Sequence, residues 1–171
     1  MAILYFAYGS NLHPQRLTNR VSTAVFRGTG FVHGRRLAFH KKGKDNSGKC
    51  DAAGADYSER VFGALFVLES VQWPTLCGIE GVGFGYEEFT VSVETDVGQV
   101  SALAFIAQRE YVDPTLAPFD WYHAFVIEGA RFHGFPDDYT EKIDAVHSVI
   151  DVDSNRAANN WSLVEEIRAR A

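Results

Sequence analysis

Tyr5-Phe6-Ala7-Tyr8-Gly9-Ser10-Asn11-Leu12 decides how the rest of this chain is read. Ile3 to Tyr8 is apolar and aromatic, which suits a strand, and the run breaks at Gly9, where the backbone is free to take a conformation closed to other residues. Ser10 and Asn11 are good helix N-caps and Pro14 fits a first helical turn, so the octet predicts strand, tight turn and a helix over residues 11–19. The backbone N–H groups of Gly9, Ser10 and Asn11 then point outward at a helix N-terminus, an arrangement that binds anions. A lone Gly-Ser-Asn is equally the mark of an ordinary β-to-α turn, so the rest of the chain has to carry its share of the argument.

Downstream of the octet, residues 21–40 read as a β segment, with Val25, Phe26, Phe31, Val32, Leu37 and Phe39 interrupted by Gly28, Gly30 and Gly34. Glycines in such a run mark bulges or bends, as where a sheet curls. Residues 41–59 carry Lys41, Lys42, Lys44 and Lys49 among Gly, Asp, Asn and Ser, and read as a solvated loop, with an active-site flap as the rarer alternative. Val61 to Leu68 is continuously apolar, as in a strand buried on both faces. Ser70 caps a short helix through Cys77, stopped by Gly78. Phe89 to Glu94 alternates, Asp96-Val97-Gly98 is a turn, and residues 100–108 return as the second strand of a hairpin. Asp120 opens a helix to about Phe132, Gly134 and Pro136 stop it, and helices follow over 137–146 and 154–170. The pattern is α+β: one domain spanning residues 1–171, a small mixed β-barrel of about six or seven strands with flanking helices.

With 171 residues, 46% of them hydrophobic, the chain is long enough for a real core and is not of disordered composition. A net charge of -6 and a pI of about 5.5 disfavour nucleic-acid binding through a basic surface. The early apolar run Ala2 to Tyr8 is too short to cross a bilayer and no basic segment precedes it. No signal peptide and no membrane partner are therefore expected, and a cytoplasmic location is the simplest reading. Cys50 and Cys77 have no metal-ligand spacing, so no metal is expected.

Glu80 is the candidate catalytic group. It lies between Ile79 and Val82 with no neighbouring Lys or Arg, it follows a helix end where negative charge is disfavoured, and Gly81, Gly83 and Gly85 come after it. That setting is expected to push its pKa upward, toward what a general base near neutral pH needs. A solvated surface carboxylate is the ordinary alternative for any Glu.

The octet at the N-terminus resembles the signature of the γ-glutamylcyclotransferase family. Trp73-x-x-Leu76-x-x-Ile79-Glu80-Gly81-Val82 is similar to that family's helix-then-Glu-Gly element, and Tyr86 to the aromatic residue after it. Trp121-Tyr122, with Gly129-Ala130 and Gly134-Phe135-Pro136-x-x-Tyr139, resembles its C-terminal helical segment. The resemblance implies a mixed barrel with flanking helices, Glu80 as the catalytic base, and a substrate site drawn from Tyr5, Phe6, Ala7, Tyr8, Gly9, Ser10, Asn11, Leu12, Tyr86, Tyr122 and Tyr139. It further implies a small-molecule γ-glutamyl substrate, release of 5-oxoproline and an amine, and no cofactor; a homodimer is compatible with it. The N–H groups of residues 9–11 serve in this scheme either the oxyanion or the α-carboxylate. Phe105 stands where related enzymes can carry Tyr, which bears on substrate identity. A γ-glutamylamine or a γ-glutamyl biosynthetic intermediate is the alternative substrate. A cysteine hydrolase built on Cys50 or Cys77 with a histidine base, and a binding module without turnover, are the alternative functions.

Overall fold

The computed structural model describes residues 1–170. Five strands close into a barrel in the order β1 (Ala2–Ala7), β5 (Arg60–Glu69), β2 (Val25–His33), β6 (Tyr86–Thr95) and β7 (Gly98–Ala107). Neighbours are antiparallel except at the seam, where β1 meets β7 in parallel at Tyr5 and Leu103. The fold is thus the expected α+β barrel. Of its seven strands, however, β3 (Arg35–Lys42) and β4 (Gly48–Gly54) leave the barrel as a two-stranded ribbon.

The barrel strands form where the local signals are strongest. Val61, Phe66 and Leu68 of β5 have no exposed surface, as the continuous apolar run requires. The β6–β7 hairpin runs from the Tyr86–Ala107 pair to the Thr95–Gly98 pair, as the alternation predicts. The glycine-punctuated β2 shifts register between Phe26 and Gly28, the bulge that a tightly curled strand needs.

The helices differ from expectation at their ends. α1 is Pro14–Arg20, and its N-cap is His13, whose Nδ1 accepts from Gln15 N at 3.2 Å; Ser10 and Asn11 stay in the turn ahead of it. A single 3₁₀ turn at Ser70–Gln72 leads into α2 (Trp73–Glu80), which runs through Gly78 and stops at Gly81 in a left-handed conformation, φ 76°. Glu80 is therefore the last residue of the helix rather than a residue beyond it. α3 (Asp120–Phe132) is capped at Phe119, with the Asp120 side chain accepting from Trp121 N at 2.7 Å. α4 (Asp137–Asp144) and α5 (Ser154–Arg168) end two residues short of expectation.

The largest departure is the stretch expected as a solvated loop. Residues 48–54 form β4, and Lys41, Ser47, Cys50 and Asp51 are all buried. The Lys49 ammonium sits 4.7 Å from the ring centre of Tyr122 and 5.0 Å from that of Trp121, so the ribbon docks on α3 through cation–aromatic contacts. Asp51 bonds His40 at 2.8 Å and accepts from Ala107 N at 2.8 Å, tying the ribbon to the end of β7. No helix among the described residues is long and apolar enough to cross a membrane.

Two histidines brace the Gly9–Leu12 turn from behind. His13 caps α1, and His133 Nε2 lies 2.8 Å from the Leu12 carbonyl oxygen. Burial pushes both imidazoles down, and their mutual repulsion adds to this for His13. A base with a lowered folded pKa is stabilising above its unfolded value of about 6.5, and the contribution is lost as pH falls through that value toward the folded one. Thermal melts between pH 7.5 and 5 are expected to show Tm falling with pH, with a shallower slope in His13→Asn, which caps without titrating. An equal slope in that variant would count against this assignment.

Candidate active site

Glu80 ends α2 directly against the turn that follows β1. Its Oε1 accepts from Asn11 Nδ2 at 2.9 Å and from Arg20 Nη1 at 2.5 Å. Arg20 Nη1 also donates to Asn11 Oδ1 at 2.9 Å, and Asn11 Nδ2 reaches the Tyr5 hydroxyl at 3.2 Å. Tyr5, Asn11, Arg20 and Glu80 form one network, with the Glu80 side chain only 16% exposed. The expectation of a carboxylate without a cationic neighbour is overturned. The sequence places no Lys or Arg beside Glu80, but the last residue of α1 is brought to it from 60 positions away. Both contacts fall on Oε1 and fix that oxygen, leaving Oε2 without a protein donor among the described residues.

Gly9, Ser10 and Asn11 line the same niche, and none of their N–H groups is given to a protein acceptor. Gly9 is needed there for closeness, since its φ is not positive: a Cβ would stand 2.8 Å from the Cβ of Cys50. Crystals grown with sulfate are expected to carry an anion on these three N–H groups. Ordered water alone at saturating sulfate would contradict the anion role.

Tyr5, Tyr8, Tyr86, Tyr122, Cys50 and Phe105 complete the niche. Their hydroxyls anchor backbone from distant elements: Tyr8 donates to the Phe105 carbonyl, Tyr86 to the Cys50 carbonyl, and Tyr122 accepts from Cys50 N at 3.0 Å. Burial pushes all four phenols up, and the charge of Glu80 adds to this for Tyr5, Tyr86 and Tyr122. They remain neutral phenols near neutral pH. Phe105 stacks on Trp73 at 5.1 Å and tilts against Tyr5 at 5.4 Å, so its missing hydroxyl leaves an apolar wall.

Four expected site residues lie elsewhere. Alternation along β1 turns Phe6 away from Tyr5 and against Gly63, where a Cβ would stand 2.4 Å from the Phe6 ring. Ala7 and Leu12 are fully buried, Leu12 tight against Gly129 of α3. Tyr139 packs on Phe62 at 4.8 Å and accepts from Phe62 N, lining a separate cavity of about 380 Å³ beside α4. Conversely, Arg20 borders the Glu80 site without any signal in the sequence, and Lys41, Lys49 and Cys50 border it from the stretch for which an active-site flap was only the rarer expectation.

A thiol nucleophile does not fit this geometry. Burial pushes the Cys50 thiol well up, and burial with the Glu88 carboxylate pushes Cys77 up to about 12. None of the described histidines hydrogen-bonds either sulfur; Cys77 Sγ faces Glu88 Oε1 at 3.5 Å. Among the described residues, no three His, Cys, Asp or Glu side chains converge as a metal site. The buried Arg16 guanidinium lies 3.5 Å over the Phe125 ring with its Nε unpaired.

Residues 60–143, which include Glu80, Tyr86 and Tyr122, match the AIG2-like family. Over 150 residues the chain is 27% identical to the γ-glutamylcyclotransferases of Bos taurus and of Homo sapiens, an alignment covering 85% of this chain and 79% of each relative. A solved structure titled γ-glutamyl cyclotransferase superimposes with a TM-score of 0.85 at 22% identity, over 97% of this chain and 99% of that one. The chain is thus similar in sequence to γ-glutamylcyclotransferases over most of its length, and it shares the fold of a γ-glutamyl cyclotransferase.

Proposed function

We propose that this protein cyclises a γ-glutamyl compound by intramolecular acyl transfer, with Glu80 as the general base. The observation that carries the reading is the meeting, along a single niche, of one fixed, partly buried carboxylate with the Gly9–Asn11 turn, whose backbone N–H groups have no acceptor among the described residues. The names of the relatives support the same activity.

An α-amino group has a pKa of about 7.7–8.0, so at pH 7 most of it is protonated and not nucleophilic. Glu80 takes that proton. The freed nitrogen attacks the γ-carbonyl carbon of the same molecule, a C–N bond forms, and the electron pair moves to the acyl oxygen. The Gly9, Ser10 and Asn11 N–H groups stabilise the resulting oxyanion. As the tetrahedral centre collapses, protonated Glu80 gives its proton to the leaving nitrogen while that C–N bond breaks, and the regenerated carboxylate takes the second proton from the ring nitrogen and passes it to the released amine or to solvent. The products are 5-oxoproline and a free amine. Asn11 and Arg20 hold the base still, and the rings of Tyr5, Tyr86 and Phe105 keep the glutamyl chain curled, so that positioning supplies much of the rate. Every proton in this scheme has a donor and an acceptor, and no cofactor is called for.

The test is a panel of γ-glutamyl amino acids and γ-glutamylamines incubated with the purified protein, with 5-oxoproline scored by mass spectrometry against enzyme-free controls. Catalysed 5-oxoproline from at least one member is expected. Tight binding with no product from any of them would instead favour a carboxylate-binding module.

A further inference from the structure

The niche opens into an outer cleft of about 200 Å³ with two unlike walls. One is apolar and open to solvent: Ile79, at the end of α2, is 46% exposed and Phe84 is 73% exposed. The other is the ribbon, which brings Lys41, Lys44 and Lys49 to the cleft.

The charges around this cleft do not cancel. Arg20 is taken by Glu80, and Lys49 by Asp45 at 2.7 Å. Lys41 is only 5% exposed and has no ion pair and no hydrogen-bond acceptor among the described residues. Its Nζ lies 4.4 Å over the Tyr86 ring and faces the cleft. Its placement is built into the backbone. Lys41 pairs with Lys49 on one side and bridges Val112 on the other. The end of the side chain passes close over Gly85, whose φ is 137° and where a Cβ would stand 2.6 Å from Nζ. Nζ is not sealed off but keeps its opening onto the cleft, so an ammonium with no protein acceptor is presented to an anion bound there.

We propose that the outer cleft receives the leaving group, and that this group is an amino acid with an apolar side chain: its carboxylate bonds to Lys41 and its side chain lies on Ile79 and Phe84. This rests on the cyclotransferase reading above and makes Lys41 a specificity-determining residue. Exposed Lys44 adds long-range attraction for the same carboxylate.

Two matched ligand pairs separate the subsite from the reaction. For turnover, γ-glutamylphenylalanine is compared with γ-glutamylphenethylamide, which differs only by the carboxylate. For binding, glutarylphenylalanine is compared with glutarylphenethylamide; these lack the α-amino group and cannot cyclise. In each pair the acid is expected to be favoured by about tenfold to a hundredfold, as a charge-assisted hydrogen bond allows. Lys41→Met is expected to bring both ratios close to one, mainly by raising KM for the acid, and Lys41→Arg to keep the acid preferred. γ-Glutamylglycine is expected to be a poorer substrate than γ-glutamylphenylalanine, and Phe84→Ala to narrow that gap. Equal handling of acid and amide by the parent protein, or a preference that survives in folded Lys41→Met, would overturn the proposal. Should Lys41→Met fail to fold, the parent and Lys41→Arg ratios decide it. A binding preference without 5-oxoproline would retain the carboxylate subsite and remove the reaction; 5-oxoproline released equally from acid and amide would do the reverse.

Discussion

Glu80→Gln is expected to lower kcat by at least about 10²-fold, the lower end of what a positioned general acid–base group contributes. KM should move little. The amide fills the same volume, and its oxygen still accepts from Asn11 Nδ2 and Arg20 Nη1, the two donors that hold Oε1 in the parent. What disappears is a site that can take a proton from the substrate's ammonium. The structure also changes the expected effect on stability. An isolated carboxylate in an apolar setting would be a burden that Gln relieves. Paired with Arg20, with side chains 16% and 23% exposed, it instead leaves a half-buried guanidinium without its counterion. A loss of roughly 1 kcal/mol is expected, between the small worth of an exposed pair and the larger cost of orphaning a buried one. Parent-like turnover in Glu80→Gln would remove Glu80 from the mechanism.

Gly9→Ala should cost about 10²–10³-fold in kcat, the scale for losing one oxyanion donor. The added methyl would meet Cys50 Cβ at 2.8 Å and Sγ at 3.3 Å, closer than packed carbons approach. The turn has to retreat from β4 and carries its N–H groups with it. Cys50 N also holds the Tyr122 hydroxyl at 3.0 Å, so the phenol is displaced in the same movement. Because the clash is with one side chain, the double variant Gly9→Ala/Cys50→Gly should recover part of the lost rate. A loss confined to KM would assign these N–H groups to the substrate's α-carboxylate instead of the acyl oxygen. An undiminished kcat/KM would remove them from the site altogether.

The parts of this fold that were legible in the sequence are those whose signals are local. The period-two run from Phe89, the continuous apolar stretch from Val61, and the break at Gly9 each declare an element within a few residues. Glu80 stood out because of its Gly-flanked position after a helix. The ribbon was hidden because its four lysines read as a solvated surface. In the fold Lys49 rests on aromatic rings of α3 and Lys41 on that of Tyr86, contacts made across long sequence separations. Arg20 was hidden for the same reason: nothing near Glu80 in sequence announces a cation delivered by α1. The cap of α1 was misplaced because Ser10 and Asn11 have high capping propensity, yet the Asn11 side chain is engaged by Glu80 and Arg20 and the histidine does the capping. Tyr139 matched a family pattern, but α4 faces a different cavity from the one beside Glu80.

The most direct test of intramolecular transfer is the fate of solvent oxygen. A γ-glutamyl amino acid is incubated with the purified protein in ¹⁸O-water, and the products are weighed by mass spectrometry against an enzyme-free control. Ring closure by the substrate's own nitrogen predicts 5-oxoproline free of ¹⁸O, formed one for one with the released amine and lost in Glu80→Gln. Glutamate carrying ¹⁸O in its γ-carboxylate would show that water, not the α-amine, is the nucleophile, and would contradict the account.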